Sequence, residues 1–193
     1  MTWTRAYPDI ETAWQRLAAY LGDAFDPGLT DFERIRRFMD QEWDQLGAHF
    51  YERSIGYLYD LTCFHYMGAK DGFFHTLMEF ADEHGLRRIA DVGCGIALDA
   101  QALIQVGYDV DAYDLDNPSL RYAQWRFEQD VGDPSRVRPL SHLSHQYQLV
   151  YAVDVLGHAD DPHSLAELLV SASGDSVVTI WKNASGQANV RNA

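Results

Sequence analysis

Residues 89–97 read IADVGCGIA: a short apolar run, an acid at Asp91, then Gly93 and Gly95 with one residue between them. A strand ending in this way has a loop that must turn tightly and bring bare backbone close to something. Helical spacing follows at once in LDAQALIQ (98–105), and a second strand-like run, YDVDAYD (108–114), ends on another acid, Asp114. Strand, glycine turn, helix and strand in this order predict the first βαβ unit of a parallel sheet.

The alternation continues outward from that unit. Strands are expected at RRIADV (87–92), YDVDAYD (108–114), RVRPL (136–140), YQLVYAV (147–153) and DSVVTIW (175–181). Helices fit residues 98–105, PSLRYAQWRFEQ (118–129) and HSLAELLVSA (163–172). The expected fold class is α/β: a Rossmann-like, doubly wound parallel sheet of about five strands with right-handed crossovers. Upstream, residues 1–84 read as an N-terminal helical cap and substrate region. Ile10, Trp14, Leu17 and Leu21 recur at helical spacing, and Thr30 with Glu33 has the form of a capping box opening the next helix. That helix is expected to pack through Phe32, Ile35, Met39, Trp43 and Leu46. Residues 85–182 form the ligand-binding core, and 183–193 a polar tail.

Composition narrows the function classes. The 193 residues are enough for one domain with a sizeable core, and no apolar run approaches the roughly 18–20 residues that cross a bilayer. Two cysteines without metal-ligand spacing, and an N-terminus with neither a basic start nor an apolar stretch, suit a cytoplasmic protein. The formal charge of −14 leaves no clustered basic footprint for nucleic acid. The pair His142 and His145 has no third ligand in reach, so no metal is expected.

Three ligand classes compete for the loop at Gly93. A nucleoside triphosphate would want Gly-x-x-x-x-Gly-Lys-Ser/Thr, which is absent. A dinucleotide would place a pyrophosphate beside the Asp91 carboxylate, and Leu98 stands where its third small residue belongs. S-adenosylmethionine carries an ammonium and a sulfonium, so an acid at the strand end attracts it. Asp114, on the neighbouring strand, can accept hydrogen bonds from ribose hydroxyls.

On these residues the chain resembles the class I S-adenosylmethionine-dependent methyltransferases. Their first motif, Asp/Glu-x-Gly-x-Gly-x-Gly, appears as Asp91-Val92-Gly93-Cys94-Gly95-Ile96-Ala97, and their ribose acid matches Asp114 of YDLD. DVLGHADDP (154–162) is similar to the DVLEH-x-x-DP stretch of the small-molecule branch. The resemblance implies S-adenosyl-L-methionine as cofactor, held by Asp91, Gly93, Cys94, Gly95, Asp114, Leu115 and Asp154. It also implies in-line methyl transfer to a small organic, possibly aromatic, acceptor. Catalytic candidates are His158, after the fourth strand, with His65 and Tyr66 in the aromatic cap segment LTCFHYMG.

Three departures stand out. Ala97 replaces the third motif glycine, Ser141 and His142 stand where an adenine-facing acid is common, and Gly157 replaces the Glu of DVLEH. A non-catalytic cofactor-binding or scaffold module therefore remains the alternative. The family sheet also carries two further strands, for which the polar tail offers no apolar alternation. The open edge of the fifth strand then predicts a cover by the cap or pairing within a homodimer.

Overall fold

The computed structural model describes residues 3–182 and 188–192. Six strands form one sheet: β1 (Arg88–Val92), β2 (Asp109–Asp114), β3 (Val137–Pro139), β4 (Tyr147–Val153), β5 (Ser173–Lys182) and β6 (Ala188–Asn192). Their order is β3-β2-β1-β4-β5-β6, with parallel pairing throughout except for the antiparallel β5–β6 pair. The expected doubly wound α/β sheet is thus present, with five parallel strands where five were read. β1 is central, and the strand order reverses on either side of it, which opens a crevice at the carboxyl ends of β1 and β4.

The eight helices described are α1 (Ile10–Leu21), α2 (Phe32–Leu46), α3 (Phe50–Arg53), α4 (Gly56–Tyr66), α5 (Asp71–Glu83), α6 (Leu98–Gln105), α7 (Pro118–Asp130) and α8 (Pro162–Ala172). Local chemistry fixes their starts. Asp9 and Asn117 cap α1 and α7 by accepting the amides of Thr12 and Leu120 at 2.7 and 2.8 Å. Pro118 at the first position of α7 has its φ set in advance and no N–H to leave unpaired. Two loop-facing details differ from the sequence reading. The cap of α2 is Asp31, whose carboxylate accepts from the Arg34 amide at 3.0 Å, whereas the Thr30 hydroxyl is drawn back onto the Pro27 carbonyl. Only Ile35 of the expected α2 face is fully buried, and Trp43 is 52% exposed. A charged helix with little to bury leans on the fold by one narrow stripe.

One apolar cluster joins the helical front to the sheet. Trp3, Trp14 and Leu17 belong to it together with Phe74, Leu103, Tyr122 and Phe127, and with Ile89, Val110 and Leu149 from the strands. The opposite sheet face, with Ala90, Val92, Tyr113, Tyr147 and Val150, packs on Leu169 and Ala172 of α8. Burial of this kind, at roughly 1.5–3 kcal/mol for each large apolar side chain, welds the front to the β1–β2 layer.

The expected polar tail needs correcting. Residues 188–192 pair with β5, from Val178 opposite Asn192 to Lys182 opposite Ala188. Periodicity missed this strand because edge pairing requires only backbone donors and acceptors, while alternation reports a buried face. The remainder of the tail, residues 183–187 and 193, lies outside the described residues.

Candidate active site

The loop leaving β1 is fastened to β2 by its backbone. The amides of Gly93 and Cys94 both donate to the Tyr113 carbonyl, at 2.8 and 3.0 Å. Gly93 and Gly95 take φ of 75° and 56°, which a side chain resists. Glycine is needed there for space as well: a Cβ on Gly95 would lie 2.7 Å from Leu61 of α4, and one on Gly93 would collide with Val155. Ala97 also sits at positive φ, 54°, at the N-cap of α6. The substitution of the third motif glycine therefore leaves an alanine in left-handed backbone.

Asp91, at 4% exposure, lies beneath that loop, beside Ala112 on β2 and Tyr151 on β4. Its Oδ2 makes no hydrogen bond of good geometry among the described residues, and neither does the Tyr151 hydroxyl, though the two lie close enough for the phenol to act on the carboxylate. Burial, reinforced by the nearby Asp99 carboxylate, pushes the Asp91 pKa up to about 8, although Tyr151 and Lys70 draw it back. A buried, unsatisfied acceptor of this kind is costly unless a ligand completes it. The carboxylate of Asp114, at the end of β2, accepts from the amides of Gly95 at 2.6 Å and Leu115 at 2.7 Å. Burial raises its pKa, and those amides together with Asn117 pull it down. Leu115 is 46% exposed, an apolar surface next to Asp114. Cys94 is half-buried, and burial lifts its thiol pKa well above the ordinary range, so it remains a neutral wall.

Asp154 follows β4 directly, with φ of 59°. Non-glycine residues in this region cost about 1–3 kcal/mol and gather at functional sites. His158, four residues on, meets the cap: its Nδ1 lies 2.8 Å from the hydroxyl of Tyr51 on α3. Tyr51 is ringed by Trp43, Phe50 and Tyr57 at centroid separations of 5.3–6.4 Å. Burial raises the phenol pKa of Tyr51, and Asp154 and Asp60 raise it further.

The other two catalytic candidates stand elsewhere. His65 is buried, with Nδ1 2.8 Å from Oδ1 of Asp99 in the first turn of α6. Tyr66 donates its hydroxyl to the Tyr7 carbonyl at 3.2 Å, and its pKa is pushed up to about 12, first by burial. Neither is brought together with His158, because α4 turns Tyr57 towards that side and His65 towards α6. His142 and His145 are not brought together at a metal site either: no His/Cys/Asp/Glu group among the described residues could hold an ion.

Four residues escaped the sequence reading. Asn117 caps α7 and also reaches the Tyr51 carbonyl at 3.1 Å and Asp114 Oδ1 at 3.4 Å, tying the second acid to the cap. The Asn-Pro pair signalled the cap but not the link. Asp99, Lys70 and Tyr51 left no local signal, since each acquires meaning only from a partner far away in sequence.

The residues present fit S-adenosylmethionine: a buried carboxylate with a free oxygen at the end of β1, a second acid at the end of β2, and glycines at positive φ between them. The chain belongs to the methyltransferase-domain family, whose model matches residues 32–180. It is 34% identical over 94 residues to the ubiquinone biosynthesis O-methyltransferase of Bordetella avium, a match covering 46% of this chain and 39% of that protein. The chain therefore spans well under half the length of that curated relative. Among solved structures, the magnesium protoporphyrin IX methyltransferase of Synechocystis PCC 6803, with bound SAM, superposes with a TM-score of 0.52 at 16% identity. That match covers 95% of this chain and 81% of the other. The PH0226 protein of Pyrococcus horikoshii OT3 gives 0.51 at 15% identity, over 63% and 56% of the two chains. At these identities both likenesses concern the fold.

Proposed function

We propose that the protein transfers a methyl group from S-adenosylmethionine to a small organic acceptor, and that the acceptor meets the enzyme between α3 and the end of β4. The buried Asp91 carboxylate, whose Oδ2 lacks a well-formed hydrogen bond, carries the cofactor half of this reading. Asp91 would accept from the cofactor's ammonium, the Gly93–Gly95 backbone would approach its chain closely, and Asp114 would take the ribose. When bound, the cofactor supplies a methyl group already activated on a sulfonium. What is left for this chain is alignment, exclusion of water and management of one proton.

His158 is the proton acceptor in this scheme. With Nδ1–H donating to the Tyr51 oxygen, Nε2 presents its lone pair to a hydroxyl on the acceptor. The neutral phenol of Tyr51 holds the imidazole in that orientation, and Trp43, Phe50 and Tyr57 supply apolar walls. Oxygen as the accepting atom agrees with the O-methyltransferase name of the Bordetella relative. A cytoplasmic setting agrees with the two free thiols. No helix among the described residues is long and apolar enough to cross a membrane. The open edge that argued for a homodimer is taken by β6, so light scattering must decide the oligomeric state without that argument. The functional test is calorimetric titration with S-adenosylmethionine and S-adenosylhomocysteine, followed by mass spectrometry of candidate phenols, amines and thiols for a product one methyl heavier. Absence of both heat and thermal shift would favour the scaffold alternative.

A further inference from the structure

The charge arrangement around Asp91 is incomplete if only the β1 loop is considered. The amino-acid end of the proposed cofactor carries an ammonium and a carboxylate, and the loop offers an acid for the first but no cation for the second. A cation does stand there, and it comes from the cap. Lys70, at the residue before α5, places its ammonium against Oδ2 of Asp99, while His65 occupies the other oxygen at 2.8 Å. The Lys70 side chain is 17% exposed and lies over the rings of Phe64 and Phe74 at 5.4 and 6.0 Å, so its head is confined. It is one of only two lysines in the chain, so its placement is not the by-product of a lysine-rich surface.

Its bonding is also unfinished. An ammonium has three donors, and among the described residues its hydrogen-bond partner is Asp99. Asp99 itself is fully engaged: burial would raise its pKa, but Lys70 and then His65 outweigh burial and hold the carboxyl well below the usual range. The His65 pKa is lowered, first by burial, so the imidazole is neutral and adds no compensating charge. Lys70 also acts on Asp91, the carboxylate with the free oxygen. A cation with spare donors thus sits on Asp99, in the first turn of the helix that follows the loop, and its charge reaches the buried Asp91.

We infer that Lys70 is the cationic member of the cofactor's amino-acid subsite, pairing with the carboxylate of the methionine moiety while Asp91 takes its ammonium. This rests on the cofactor reading above. It makes the cap part of the cofactor site: α5 delivers the cation, and Asp99 and His65 position it. Ligands with a complete zwitterionic end are then selected over those lacking the carboxylate.

The test is a matrix of dissociation constants. S-adenosylhomocysteine, its decarboxylated analogue and 5′-methylthioadenosine are titrated into wild type, Lys70→Met and the pair Lys70→Met/Asp99→Asn. The pair matters because it removes both charges and leaves no buried acid without a counter-ion. Wild type is expected to favour S-adenosylhomocysteine over the decarboxylated analogue by about tenfold to a hundredfold, the value of one charge-assisted bond. The double variant should lose that preference while binding 5′-methylthioadenosine within about twofold of wild type. If the double variant keeps the wild-type preference, Lys70 serves only to neutralise Asp99 and the assignment is overturned. Equal wild-type affinity for parent and decarboxylated ligand overturns it as well, even if neither variant folds. Failure of wild type to bind any of the three ligands would instead remove the cofactor reading itself, and this inference with it.

Discussion

The two sides of the crevice are built by different means. On the cofactor side, Asp91 and Asp114 end adjacent strands, and the loop between them is held by backbone bonds to the Tyr113 carbonyl and the Asp114 carboxylate. On the acceptor side, His158 is met by Tyr51, 107 residues away, through one side-chain bond. The first arrangement follows from strand order and glycine placement, so it survives changes of side chain elsewhere. The second exists only while the cap is docked. Variants should separate accordingly, with the acceptor side governing turnover and the cofactor side governing affinity.

The largest effect is expected at His158. Removing a positioned base typically costs about 10²–10⁴-fold, so His158→Ala should lower kcat by that order while the S-adenosylhomocysteine Kd stays within about twofold. Tyr51→Phe deletes the orienting bond and should lower kcat less, about tenfold. Single-turnover rates with saturating cofactor measure both. Unchanged turnover in His158→Ala would break the comparison, because the acceptor would then have to lie elsewhere.

Asp91 sharpens it from the other side. Asp91→Asn should weaken cofactor binding by about tenfold to a hundredfold through loss of a charged acceptor. The same change should stabilise the free protein at alkaline pH. With a folded pKa pushed up to about 8 from an ordinary 3.8, the folded state holds this proton more tightly than the unfolded one. Stability is therefore lost as pH rises through that interval, and Asn, which does not ionise, avoids the loss. Scanning calorimetry should find the Tm of Asp91→Asn above wild type by several degrees at pH 8.5, with the gap closing towards pH 4. Wild-type affinity should fall by up to tenfold per unit as pH drops below about 8, because binding must displace the proton. A flat pH profile for both quantities would show Asp91 to be ionised in the free protein.

A smaller effect is expected at Asn117, which touches both sides. Asn117→Ala removes the α7 cap, worth about 1 kcal/mol, and cuts the link from Asp114 to the Tyr51 carbonyl. Denaturant midpoints should report a loss of about 1–2 kcal/mol. Kinetics should show a higher acceptor KM with a smaller change in cofactor Kd. If both constants move equally, the two sides are less separable than the geometry indicates.

The difference between the sides also explains what could be read from the chain. Strands, crossover helices and both strand-end acids were legible because each is a local pattern: alternation, a glycine pair, an acid at a run's end. The cap helices were legible as helices, but not where their side chains lead. His65 and Tyr66 attracted attention as titratable groups in an aromatic segment, yet α4 turns Tyr57 to the crevice and His65 to Asp99. That choice depends on the docking angle of a helix that is apolar almost all round. Lys70 and Asp99 look like surface charges in the sequence and become a buried pair only through packing. β6 was illegible because its pairing uses backbone alone.

The smallest expected effect is at Ala97, where sequence and geometry are in tension. Left-handed backbone costs an alanine about 1–2 kcal/mol, so Ala97→Gly, which restores the family pattern, should relieve it. Two terms oppose that gain. Glycine loses more freedom on folding, about 0.4–1 kcal/mol, and the fully buried Ala97 methyl is worth about 0.8 kcal/mol. The sum lies within about 1 kcal/mol of zero, so Ala97→Gly should leave the denaturant midpoint and the cofactor Kd almost where they were. Ala97→Val is the contrasting probe: a branched side chain at positive φ, inside a packed core, should lower stability by several kcal/mol. A large gain from Ala97→Gly would mean that the alanine methyl contributes little packing and that the first turn of α6 is held mainly by the Gly95–Asp114 bond. A near-zero result would show that this chain balances the cost of a left-handed alanine with core contact, keeping the cofactor loop in shape by packing.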